Sequence, residues 1–63
     1  MRSYTIEAWA DLHGFTRAYF YILEKRGQAP ETYRVGRSRR VSEDANANWL
    51  RQREAASRER VAA

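Results

Sequence analysis

Sixty-three residues hold no cysteine, one histidine, one proline and three glycines. Without cysteine there is neither a disulfide nor a thiolate metal site. With one histidine, no paired carboxylates in an apolar setting and no glycine-rich phosphate loop, the chain offers no catalytic constellation. An enzyme is therefore not expected, nor a cofactor or a metal. No apolar run is long enough to span a membrane, and the N-terminus lacks the apolar h-region of a signal peptide. A soluble cytoplasmic protein is expected. The length suits one small domain, which buries only about 60% of its unfolded surface and reaches a stability of roughly 3–9 kcal/mol. Its core must come from the aromatics: Tyr4, Trp9, Phe15, Tyr19, Phe20, Tyr21, Tyr33 and Trp49.

What the chain does have is positive charge, unevenly placed. The formal charge is +4 and the pI about 10.1. Between Arg17 and Arg40 stand seven basic residues and two acidic ones, an excess of five, while the remainder sums to one negative charge. A concentrated basic stretch is the electrostatic footprint of a nucleic-acid binder.

Residues 14–27, GFTRAYFYILEKRG, organise the rest. Thr16 can cap a helix, and Phe15 and Phe20 have the spacing of a hydrophobic staple. Gly27 can end that helix in the left-handed conformation, with Lys25 and Arg26 beside the negative end of its dipole. Phe20 and Leu23 then face inward. Arg17, Ala18, Tyr21 and Lys25 lie largely on the other side. Before this stretch, residues 2–6 begin extended and Thr5 caps a first helix to about His13, with Ile6, Trp9, Ala10 and His13 on one face. His13 reads as a partly buried cap of the core or a cation at the helix C-terminus. Gly14 makes the tight turn. After Gly27, Pro30 forbids helix and starts an extended segment. Residues 32–35 alternate, Gly36, Arg37 and Ser38 turn, and residues 39–41 return as a hairpin with a basic tip. Ser42 caps a last helix, with Glu43 and Asp44 in its first turn and Ala45, Trp49 and Leu50 inward. The predicted domain is 1–53. Residues 54–63 are a polar tail, helix-compatible but expected to fray, having little to bury. The fold class is mainly α with a small β-hairpin: helix, turn, helix, wing, helix.

In this order the chain resembles the excisionase and AlpA-like regulators, which are small MerR-like winged helix-turn-helix proteins. The matching residues are Tyr4-Thr5, Ala10, Gly14-Phe15-Thr16-Arg17, Phe20-Tyr21, Gly27 with Pro30, Val35-Gly36-Arg37 and Trp49-Leu50. Tyr19 and Ile22 depart from the pattern, being apolar where the family is small or polar, and His13 takes a position that is commonly apolar. The resemblance implies duplex DNA binding without catalysis, as an excisionase of a prophage or integrative element or as an AlpA-like transcriptional regulator. It also implies cooperative loading on adjacent sites, DNA bending and contact with a site-specific integrase.

Physically, the start of the second helix would enter the major groove, with Arg17 on guanine or on a phosphate. Thr16 and the helix N-terminus would hold a phosphate. Ala18 and Lys25 share that outer face. Tyr21 would bond a phosphate, pack on a thymine methyl, or sit half-buried in the core. Arg34 lies in the basic hairpin, Arg37 and Arg39 suit a minor groove, and Arg40 either joins them or pairs with Glu43 or Asp44. Copies would meet head to tail, since the wing and the last helix are different surfaces. Two rival readings are an RNA binder, because tyrosines interleave with the basic residues, and a protein-interaction module using Tyr19, Tyr21 and Ile22.

Overall fold

The computed structural model describes residues 2–62, with side chains through residue 59. In chain order the elements are β1 (Ser3–Thr5), α1 (Ile6–Leu12), α2 (Arg17–Lys25), β2 (Tyr33–Val35), β3 (Ser38–Ser42) and α3 (Glu43–Ala62). The molecule is small and mainly helical, with one three-stranded antiparallel sheet.

Each helix begins where a hydroxyl accepts an otherwise unpaired backbone N–H. Thr5 Oγ1 takes the Ala8 amide at 3.0 Å, Thr16 Oγ1 the Tyr19 amide at 3.2 Å and Ser42 Oγ the Ala45 amide at 3.0 Å. Helices α1 and α2 end alike. The Phe15 and Gly14 amides return to the carbonyls of Ala10 and Asp11, at 2.8 and 3.1 Å. The Gln28 and Gly27 amides return to Leu23 and Glu24, at 2.9 and 3.1 Å. This closure needs a left-handed residue after the cap, and Gly14 supplies it with φ 74°. The turn between α1 and α2 is thereby fixed rather than loose.

The sheet has the order β1-β3-β2, with β3 in the centre. Tyr4 lies opposite Val41 and Thr5 opposite Arg40, while Tyr33 pairs with Arg40, Arg34 with Arg39 and Val35 with Ser38. Alternation along β3 puts Val41 and Arg39 on the inner face, and Ser38, Arg40 and Ser42 on the outer one. The hairpin loop is Gly36 and Arg37 alone, because Ser38 already belongs to β3.

The core is Ile6, Trp9, Ala10, Phe20, Leu23, Val41 and Trp49, with Tyr4, Phe15, Ala29 and Ala45 packed around it. Trp9 is fully buried at its centre. It meets Trp49 and Phe20 edge-on, at centroid distances of 4.9 and 5.5 Å, and Phe15 at 6.1 Å. The polar edges of this aromatic cluster are satisfied. Asn46 Oδ1 accepts the Trp9 indole N–H at 2.9 Å and bonds His13 Nε2 at 2.8 Å. The Trp49 indole N–H donates to the Gln28 carbonyl at 2.7 Å, tying α3 to the end of α2. His13, half-buried, is the C-cap of α1 and a lid on the core.

Three expectations from the sequence change. A third strand exists: β1 borrows its stability from β3, and three residues are too few to show alternation. Tyr19, Tyr21 and Tyr33 are exposed rather than core, since Trp9, Phe20 and Trp49 already fill a core of this size. Leu50 is 38% exposed, because it follows Trp49 by one position and rotates off the buried face. Phe15 and Phe20 both pack on Trp9. Helix α3 runs past Arg53 to Ala62, as a helix-compatible sequence allows, and side chains 51–59 are all exposed. Residue 63 of the predicted tail lies outside the described residues.

Candidate nucleic-acid interface

Helix α2 buries Phe20 and Leu23 and turns its opposite side to solvent. The hairpin rises beside it from the β2–β3 pair. Between them opens a groove of about 330 Å³. Arg17 and Tyr21 form its α2 wall, Arg37, Ser38 and Arg39 its hairpin wall, and Thr5, Ile6 and Glu7 close one side. Four residues predicted to bind nucleic acid, Arg17, Tyr21, Arg37 and Arg39, thus share one cleft although they span the chain from the second helix to the hairpin.

Arg17 is preorganised. Its guanidinium carbon lies 5.9 Å from the centre of the Tyr21 ring, and Nη2 comes within 3.5 Å of the Tyr21 hydroxyl. A cation over a ring face is attracted by the ring quadrupole. Thr16 uses its oxygen to cap α2 and keeps its hydroxyl proton to donate. Ala18 and Lys25 are exposed on α2, and Arg34 is exposed in β2.

Arg39 is placed differently from the expectation that made it part of the basic tip. It sits on the inner face of β3 and pairs through two nitrogens with Glu24 of α2. Nη2 also donates to Thr32 Oγ1 at 3.0 Å, and the guanidinium carbon stands 5.8 Å from the Phe20 ring centre. The hydrogen bond from Arg39 holds the Glu24 carboxyl below its ordinary range, and the bond to Glu24 in turn raises Arg39. Arg39 is a strut between helix and hairpin, and its charge is largely spent on Glu24. The tip cation is Arg37.

Arg40 also departs from expectation. It does not pair with Glu43 or Asp44. It lies on the outer face of the sheet, where Nε donates to Ser3 Oγ at 3.0 Å and Nη1 to Ser38 Oγ at 3.4 Å. With its guanidinium held by these two serines, Arg40 is not among the residues that line the groove.

Comparisons with protein-family models, curated proteins and solved structures find no match to this chain. What the site can do is set by its own residues.

Thr5, Ile6, Ser38 and Glu7 also line the groove without having been expected as site residues, and Glu7 is the charged one among them. As a first-turn acid of α1 it also suits the positive end of the helix dipole. The signal lay in the fold, which carries the start of α1 to the flank of α2. In chemical terms the cleft offers two guanidinium groups outside any ion pair among the described residues, one phenol and one carboxylate, lining a groove between α2, the hairpin and the start of α1. That set suits hydrogen bonding to phosphates and base edges.

Proposed function

We propose that the chain is a winged helix-turn-helix that binds duplex DNA, with α2 in the major groove and the Gly36-Arg37 tip against the adjacent minor groove. The observation that carries this reading is the groove itself. It puts Arg17 and Tyr21 of a capped, rigid helix opposite Arg37 of a hairpin. A helix of this diameter fits the major groove, and a narrow minor groove attracts arginine. Binding rather than catalysis is the activity, and the cytoplasm is the compartment. Within this class the order of elements and the motif residues support an excisionase-type accessory factor of recombination, acting with an integrase. An AlpA-like transcriptional regulator is the other member of the same reading.

Titrating a duplex at several salt concentrations tests it. With about 4–6 phosphates neutralised, log K falls with log salt at a slope of about −4 to −5. Salt-independent binding, or preference for single-stranded RNA, overturns the proposal. A stacking platform for single strands would instead use Tyr33, on the outer face of the sheet with Arg40. Tyr33→Ala is therefore expected to leave duplex affinity unchanged.

A further inference from the structure

Building on the placement of α2 in the major groove, we propose that its outward strip recognises C5-methyl groups of pyrimidines, so that the preferred ligand is duplex DNA with thymines beneath α2. Residues 17, 18, 21, 22 and 25 fall on one helix face, opposite the buried Phe20 and Leu23. Cations stand at the two ends of this strip, Arg17 and Lys25. Between them come Ala18, Tyr21 and Ile22, with Tyr21 39% and Ile22 45% exposed. A helix face meant only for water carries polar or charged groups at its centre. Here the centre is carbon, apart from the Tyr21 hydroxyl.

The arrangement complements one surface well. The floor of the major groove carries thymine methyls and base-edge acceptors, and its walls are phosphates. An apolar strip ending in cations, with Arg37 across the cleft as a third, matches that alternation of apolar floor and anionic wall. At about 1.5 Å per residue the strip covers about 12 Å, or about three to four base pairs. The contact of Arg17 with the hydroxyl end of Tyr21 places the guanidinium beside the apolar patch. A guanine next to a thymine would meet both at once.

The test uses the full chain and a duplex selected from a random-sequence library. Each thymine of the selected site is replaced in turn by uracil, which removes only the methyl. Between one and three of these replacements are expected to weaken binding by about four-fold each, the worth of one buried carbon. Where the selected site accepts cytosine at such a position, 5-methylcytosine should bind more tightly than cytosine. Tyr21→Ala and Ile22→Ala should erase the thymine–uracil difference, while Arg37→Ala weakens both duplexes equally and preserves it. Both α2 positions are exposed, and helical circular dichroism confirms that the variants fold. Sequence-preferring binding with no thymine–uracil difference overturns the methyl assignment and leaves DNA binding standing. A difference that survives in both α2 variants overturns the assignment to these residues. No preference for duplex DNA overturns the underlying reading.

Discussion

Glu24 and Arg39 lie 15 residues apart in sequence and form the ion pair that braces the hairpin against α2. Because Arg39 lowers the Glu24 carboxyl, the pair adds stability at pH values above the ordinary carboxylate range. That contribution disappears as pH falls through the lowered value of the folded state. The difference in melting temperature between the wild type and Glu24→Gln should therefore be present at neutral pH and shrink on acidification. A difference independent of pH would show that the carboxylate charge is not what matters. The same variant releases Arg39, so the salt slope of duplex binding should steepen by about one. The sequence shows Arg39 only as one more cation in a basic run. Its partner is on another element, and charge counting, which subtracts Glu24 from the run, has no way to say which cation it takes. Asn46 is the same kind of case: its oxygen serves Trp9 and His13, 37 and 33 residues away, and nothing near it in sequence points to either.

At the level of elements, α2 and the hairpin should divide the labour. Arg17→Ala should cost about 1–3 kcal/mol and relax preference at one base pair, read by comparing cognate and scrambled duplexes. Arg37→Ala should weaken all sequences alike, or A·T-rich flanks most. If Arg17→Ala keeps full discrimination, α2 is not the reading element. The helices were legible because their ends are written in local chemistry: Thr5, Thr16 and Ser42 as caps, Gly14 and Gly27 as stops. Of strand β1 only the extended backbone was legible and not the pairing, because its partner strand comes after both helices and no local signal marks it. The face of α2 followed from its period, which correctly sent Phe20 and Leu23 inward. The depth of the groove did not follow, since it depends on how far the hairpin stands from the helix.

For the molecule as a whole, one aromatic cluster carries the stability. Trp9→Ala should cost about 3–5 kcal/mol, close to all that a domain of this size has, and chemical denaturation would measure it. A cooperatively folding Trp9→Ala protein with an unchanged midpoint would contradict a core centred on that ring. The sequence named Trp9 and Trp49 as sharing a core, and their edge-on contact agrees. It overcounted the tyrosines, because aromatic content alone does not say which rings a small interior can hold. On DNA, one module of this kind buries only about 600–1,000 Å². Copies on adjacent sites should then bind more tightly per site than a lone copy, through raised effective concentration. Equal per-site affinity on single-site and multi-site duplexes would exclude such cooperation. A last consequence comes from the pairing of β1 with β3, where Arg40 reaches Ser3 across 37 residues. The α1–α2 pair is built from neighbours and can form early, but β1 can dock only after the chain has closed a loop around both helices. Loop closure of that length is an entropic barrier, so this strand should set the tempo of folding and be the first to lose amide-exchange protection under mild denaturant.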